Sequence, residues 1–301
     1  MKLFTDHSFH IGEQHLRQGK PCQDYALSGS LGRETAYAIV SDGCSSGGMT
    51  DIGSRLMTLA TLRALHEQIP SNDFATRDSD IARDTYLESS RLNLRLETKD
   101  LLATCLWAVV HKNEVVINVT GDGVVALEFE AGMIIKTFSW QKNMPYYPAY
   151  RIGGMDEPFT ENHSDNLAPL TIIESVIVTP GGDVQLTNNV VTKGVSVREG
   201  MRGIVYTESI INTALGNLRT VALFSDGIEQ IDQIETVSAV KALLSFKSVS
   251  GQFAVRRMNR FLQDVKKQGR GPIDDIAYAV IHSENKETDH VNNQTTEKSN
   301  T

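Results

Sequence analysis

Acidic residues recur at the ends of short β-rich runs, and this pattern constrains the chain more than any other feature. Asp42 closes AYAIVS and precedes Gly43; Asp226 closes VALFS and precedes Gly227. Asp122 lies in VTGDG, between two apolar runs, and Asp274 and Asp275 open IAYAVI. Asp24, in PCQDYAL, opens a further apolar stretch. A lone Asp-Gly is ordinarily a turn. Turn formation alone does not explain why the same arrangement returns at one run after another. A strand end is rigid, and a neighbouring glycine lets backbone and ligand approach closely. Several such ends converging on one rim of a sheet would make an oxygen-rich pocket of the kind hard divalent cations prefer. Two such ions, about 3.5–4 Å apart, can activate water and clamp a phosphoryl group for in-line attack.

Composition narrows the remaining classes. The chain has 301 residues, a formal net charge of −8 and a pI near 5.5. That balance disfavours non-specific binding to nucleic acid or anionic membranes, so neither is expected as a partner. Hydrophobic residues make up 40% and charged residues 22%, enough for a buried core and unlike a disordered chain. The apolar runs fall well short of the roughly 18 residues that span a bilayer. The opening MKLFTDHSFHIG has no apolar core of a secretory signal. Three cysteines, Cys22, Cys44 and Cys105, with no CxxC, fit a reducing compartment. The expectation is a cytoplasmic protein.

No repeat or Pro/Gly-rich linker divides residues 1–282, which read as one domain. From residue 283 to 301 the only aliphatic side chain is Val291, so this stretch reads as a disordered polar tail. Strands are expected at Thr35–Ser41, Ala103–His111, Glu114–Thr120, Val124–Glu130, Met133–Phe138, Ile172–Thr179, Arg219–Phe224 and Ile276–His282. Helices are expected from Thr50 to about Gln68, with Pro70 as a stop, and over Arg77–Thr98, Val237–Phe246 and Gln252–Lys267. Residues 139–170 read as loop. Trp107 and Trp140 read as packing residues. Tyr146, Tyr147 and Tyr150, around Pro145 and Pro148, read as a packed loop, with a substrate-facing flap as the alternative. Strands with helices outside them suggest a sandwich of sheets.

The order of these motifs resembles the metal-dependent protein phosphatase 2C family over nearly all of residues 8–282. Cys22-Gln23-Asp24 resembles the family's first acidic motif, and Ile39-Val40-Ser41-Asp42-Gly43 with Gly47-Gly48 resembles the second. Thr104 and Gly121-Asp122-Gly123 resemble a Gly-Thr and a Gly-Asp pair bracketing a strand turn. Leu223-Phe224-Ser225-Asp226-Gly227-Ile228 resembles the Ser-Asp-Gly motif, and Asp274-Asp275-Ile276-Ala277 resembles the closing Asp-Asn-Ile-Thr. His15, Gly19 and Pro21 are similar to a bacterial branch.

The resemblance implies an α+β fold: a four-layer α-β-β-α sandwich of two mainly antiparallel sheets flanked by helices. It implies two Mn²⁺ or Mg²⁺ ions, with a third at a weaker site. Asp42 would bridge the ions and the Gly43 carbonyl would hold one of them. Asp226 and Asp274 would ligate the second, Asp122 would help hold the third, and Asp24 would orient water. A hydroxide bridging the ions would attack a phosphoserine or phosphothreonine protein, and a paired kinase is a plausible partner. The sequence departs from the family at two points. Gly19 stands where many members carry a phosphate-gripping Arg, leaving Lys20 or Arg17 as substitutes. Cys44 stands where some members carry a His that is a candidate general acid. Two other readings compete: a phosphatase-like domain without activity that binds a phosphoprotein, and an esterase using Ser45 of Gly43-Cys44-Ser45-Ser46-Gly47 with Asp226 and His282.

Overall fold

An antiparallel strand covered on both faces must be apolar on both, and five strands of this protein obey that rule. In Thr35–Ser41, Ala36, Ala38 and Val40 face one way, while Tyr37 and Ile39 face the other; all are buried. The same alternation separates Leu106, Ala108 and Val110 from Cys105, Trp107 and Val109, and Ala277, Ala279 and Ile281 from Ile276, Tyr278 and Val280. The first set in each strand fills the space between two sheets and the second meets helices. Hence the sequence shows nearly continuous apolar runs instead of a polar alternation.

The computed structural model describes residues 1–32, 34–69, 74, 77–153, 167–178 and 185–284. In chain order the strands are β1 (Lys2–His10), β2 (Tyr25–Ser30), β3 (Thr35–Ser41), β4 (Cys105–His111), β5 (Glu114–Thr120), β6 (Gly123–Phe129), β7 (Gly132–Trp140), β8 (Leu167–Val178), β9 (Gln185–Ser196), β10 (Ile204–Ser209), β11 (Ile211–Asn212), β12 (Gly216–Phe224) and β13 (Ile276–Glu284). The helices are α1 (Glu13–Gln18), α2 (Thr50–Gln68), α3 (Arg77–Leu94), α4 (Tyr150–Gly153), α5 (Val197–Gly200), α6 (Thr236–Leu244) and α7 (Phe253–Lys267). One sheet runs β1-β13-β12-β6-β7-β8-β9, with β11 beside β12; the other runs β10-β5-β4-β3-β2, and the named strand pairs are antiparallel. Met57, Ala60 and Leu65 of α2 and Leu87 of α3 cover the smaller sheet. Ala239, Val240, Leu243 and Leu244 of α6 and Met258, Phe261 and Val265 of α7 cover the larger. The result is the expected α-β-β-α sandwich.

Helix α7 is amphipathic, burying Phe253, Ala254, Met258, Phe261 and Val265 at helical spacing. Asp6 of β1 accepts a hydrogen bond from the Ala254 N–H at 2.6 Å, capping the helix with a charge that suits its positive end. Tyr278 stacks on Phe224 beneath this layer, centroids 5.4 Å apart, and its hydroxyl donates to the Ala254 carbonyl at 2.7 Å.

Several sequence expectations need correction. The loop reading of 139–170 is too wide at both ends: β7 continues to Trp140 and β8 begins at Leu167. Residues 154–166 lie outside the described residues, as does Pro70. Helix α3 ends at Leu94, and a 3₁₀ turn at Thr98–Leu101 follows it. Strand β13 runs two residues into the segment read as tail; residues 285–301 lie outside the described residues. Strands β1, β2, β9 and β10 have no counterpart in the sequence reading. Among the described residues no helix is long and apolar enough to cross a membrane.

The region between β7 and β12 is fastened by an ion network. Arg151 of α4 makes two 2.7 Å bonds to Asp84 of α3 and a 2.8 Å bond to the Met201 carbonyl. Fully buried Arg83 stands 3.1 Å from Asp80 and 3.4 Å from Asp84. Breaking a buried pair costs about 3–5 kcal/mol. Because Arg83 stays beside Asp84, Arg151→Ala should cost less, roughly 2–3 kcal/mol. Urea denaturation checks this; a loss within error of zero would show that the network does not fasten the segment.

Candidate metal centre

The strand register alone brings the acidic residues to one rim. Tyr25 pairs with Ser41, so the next residues outward, Asp24 and Asp42, stand opposite each other. Phe224 pairs with Val124 and with Tyr278, which carries Asp226 towards Asp122 on one side and towards the start of β13 on the other. Asp122 itself sits in the link from β5 to β6, where the chain passes from one sheet to the other. Both flanking residues, Gly121 (φ +99°) and Gly123 (φ +135°), adopt backbone conformations that favour glycine. Trp140 donates its indole N–H to the Gly121 carbonyl at 2.8 Å and fixes this link from below.

Asp42 and the loop after it are laced to neighbouring strands and turns. The Asp42 N–H donates to Thr104 Oγ1 at 3.0 Å, and the Thr104 N–H returns a bond to the Asp42 carbonyl at 2.8 Å. Gly43 N–H donates to the Gln23 carbonyl at 3.2 Å and Cys44 N–H to the Leu102 carbonyl at 2.8 Å. The loop then runs to α2, where buried Asp100 accepts from the Met49 N–H at 2.8 Å. Gly227 is required by space: a Cβ there would overlap the Asp275 carbonyl oxygen.

Side chains complete the cluster. Asp42 lies beside both Asp24 and Asp226, and Ser225 lies beside Asp24. Burial, with neighbouring negative charge, holds Asp24, Asp42 and Asp226 above the usual carboxylate range. Asp122 is pushed up to about 8 by burial and by Asp226; Glu229, exposed at the rim, is raised less, by partial desolvation of its carboxyl and by Asp226. Asp274 lies near enough to Asp226 to raise it further. Without a cation, the cluster can persist only by keeping protons.

The donor set is all oxygen, drawn from five separate strand ends. Asp24 Oδ2 is buried with no hydrogen-bond partner, an expensive state unless a cation or water meets it. These features fit hard divalent ions. Among the described residues, the group of three that brings one ligand atom each within 4.8 Å of one another is His15, Asp274 and Asp275. Asp275 is already engaged: its oxygens accept from Gly12 N–H at 2.7 Å and Gln23 N–H at 2.6 Å, and His15 Nδ1 lies 2.9 Å away. Asp274, half-buried, keeps the greater capacity for an ion.

The phosphate-gripping candidates separate. Arg17 is exposed on α1 and paired with Glu13 at 2.8 Å, so the structure does not bring it into the cluster. Lys20 is half-buried in the turn leading to Gln23. Ser45 is exposed, and His282 Nδ1 pairs with Thr220 at 3.0 Å. His282 lies six residues along β13 from Ile276, about 20 Å at the strand rise, so the esterase triad is not assembled. Tyr147, read as a packed loop residue, is buried beside Cys44, with Asp122 and Asp42 close by; burial and these neighbours push its phenol up. It forms a wall of the site. Glu229, Asp100, Tyr147 and the Asp275–His15 pair were not legible as site residues. The sole available signal was the second Asp of Asp274-Asp275.

The fold is shared with solved bacterial phosphatases. A bacterial serine phosphatase aligns at 13% identity and TM-score 0.52, over 93% of this chain and 97% of that one. A serine/threonine phosphatase from Staphylococcus aureus aligns at 13% identity and TM-score 0.50, over 95% of this chain and 96% of that one. A search of curated proteins finds no match. The model of the protein phosphatase 2C family matches residues 11–269, and the chain belongs to that family.

Two outcomes test the site. Asp275→Ala leaves the two buried N–H groups of Gly12 and Gln23 without their acceptor and should cost roughly 2–4 kcal/mol of stability, read by denaturant unfolding; wild-type stability would dismiss the clamp. The raised carboxyls also set a pH dependence. A carboxyl whose folded value lies above its unfolded one favours folding while both states are protonated, and loses that contribution as pH climbs through the folded value. For Asp122 the window runs from 3.8 to about 8. In EDTA the melting temperature should therefore fall between pH 5.5 and 8.5, and Mn²⁺ should raise it most at the alkaline end. A flat profile in EDTA would contradict the cluster's shared protons.

Proposed function

We propose that this protein is a metal-dependent serine/threonine phosphoprotein phosphatase. Its family membership supports phosphatase chemistry. The observation that carries the reading is the convergence of Asp24, Asp42, Asp122, Asp226 and Asp274 on one rim, with one Asp24 carboxylate oxygen buried and unpartnered.

In this reading Asp42, which lies beside both Asp24 and Asp226, would hold both ions. The Gly43 carbonyl would serve one position and Asp226 with Asp274 the other. Asp122 would serve a third, weaker position, and Asp24 would orient water. Two divalent ions bound there, Mn²⁺ or Mg²⁺, would supply an activated water and neutralise charge on the phosphoryl oxygens. The protein's own part is to hold its carboxylates deprotonated in a fixed frame and to wall off bulk water with Tyr147. Lys20, not Arg17, is the nearer candidate for the phosphate, acting as a point charge without a bidentate grip. The substrate is a phosphoserine or phosphothreonine protein in the cytoplasm, with a paired kinase as the source of the phosphate.

One observation favours a second reading. With Gly19 in place of an Arg and Arg17 tied to Glu13, the phosphate grip is weak, as in a domain that binds a phosphoprotein without hydrolysing it. One experiment separates the two: hydrolysis of a small aryl phosphate with Mn²⁺ and with EDTA, beside Asp42→Ala. Metal-dependent turnover that drops by at least about 10²–10³ in the variant supports the enzyme. Turnover unaffected by the substitution would overturn the two-ion arrangement. Metal binding by calorimetry without any turnover would favour the binding domain.

A further inference from the structure

The charge of this protein is strongly segregated. The chain carries −8 overall, yet residues 238–271 hold eight Lys and Arg against a single acid, Asp264. These residues build the outer surface of the α6–α7 layer. The inner face of α7 is spent on the core, so its cations point outward beside two adjoining depressions. The first, about 630 Å³, is lined by Lys247, Arg256, Arg257, Arg260 and Lys267. The second, about 810 Å³, is lined by Lys266 and Arg270 and reaches Leu16 and Ile273. Asn259 and Gln263 line both, so the two form one trough along α7. Its far end, Ile273, is the residue before Asp274.

An outward helix face with mixed charge would need no explanation. A face with five cations and one acid does, because like charges repel and an acidic protein has carboxylates to place among them. Lys267 pairs with Asp264 at 3.2 Å, Arg256 donates to the Ser250 carbonyl at 2.7 Å, and Arg257 donates to the Ala242 carbonyl. Lys247, Arg260 and Lys266 are exposed and have no ion-pair partner among the described residues. Within the trough, Leu16 is 58% and Ile273 47% exposed, so apolar floor and cationic walls lie together. Three acids also line it: Asp264 is paired with Lys267, Glu13 with Arg17, and Asp232 stands at the end near Gly271 and Pro272, so seven cations face three acids along the trough.

We propose that this trough docks an acidic segment of the phosphoprotein substrate, seating it so that the neighbouring phosphoresidue meets the rim beside Asp274. That the docked protein is a substrate rests on the phosphatase reading; that the trough binds an acidic peptide does not. The concave shape suits an extended chain better than a bilayer, and α7 presents no exposed large apolar side chain to insert into lipid. Phe246 is half-buried and Phe253 buried, which leaves no aromatic face on which a nucleic-acid base could stack.

The test is fluorescence anisotropy with a labelled Glu/Asp-rich dodecapeptide, beside its Lys-rich counterpart, on wild type and on the triple variant Lys247→Glu, Arg260→Glu, Lys266→Glu. The acidic peptide should bind, weaken with added salt, and lose at least about tenfold in affinity in the variant. For a phosphopeptide with an acidic extension, KM should rise by a similar factor while kcat holds. Turnover of a small aryl phosphate should be unchanged in the variant, which also reports that it is folded. Unchanged peptide affinity in the variant, or equal binding of the Lys-rich peptide, overturns the proposal. So does tighter binding of an oligonucleotide or of phosphatidylserine vesicles than of the acidic peptide. Peptide binding lost in the variant, with no phosphate release from any substrate by the wild type, keeps the trough and removes the phosphatase reading instead.

Discussion

Carboxylates buried side by side cannot all ionise unless a cation lies among them. Asp24, Asp42 and Asp226 are in that position, with Asp122 and Asp274 beside them, and much of the surrounding structure is arranged to keep them there. Two sheets must end at the same level, the β5–β6 link must cross between them through a turn flanked by two glycines, and the loop after Asp42 must be laced to Thr104 and Leu102. None of these features relieves the repulsion. They hold the carboxyls in place against it, so that protons in one state and divalent ions in another become part of the fold's energetics.

The sequence made the doubly covered strands legible because burial on both faces writes a continuous apolar run. Thr35–Ser41, Arg219–Phe224 and Ile276–His282 were readable for that reason, and so were the aspartates that close or open them. Strand β1 was not, because Asp6 and His7 interrupt its apolar pattern; Asp6 serves the α7 N-terminus and so belongs to a contact with residues some 250 positions away. Strand β9 is almost entirely exposed and has no core face to leave a period. Strand β10 alternates, but over only six residues.

The site was legible as a set of residue types and obscure as a set of partners. Asp275 could be seen as a second carboxylate beside Asp274, yet its role as acceptor for the Gly12 and Gln23 amides depends on the N-terminal segment folding back onto β13. Cys44 could be seen as a departure from the family's histidine. That Tyr147 would close over it could not, because Arg151 and the α3 carboxylates fix that segment through tertiary contacts with no local signature. Spacing along a chain reports faces of elements; it does not report which distant backbone amide a carboxylate will meet.

The position of β13 in its sheet has a consequence for how the molecule is assembled. It lies between β1 and β12, pairing with a strand more than 260 residues earlier along the chain. Until it arrives, β1 and β12 are open edges, and the acidic rim lacks Asp274 and the Asp275 clamp that seats Asp24. Closing so large a loop is entropically slow. Before β13 is in place the chain therefore has no competent cation site, and it becomes able to capture its ions only when the larger sheet is sealed.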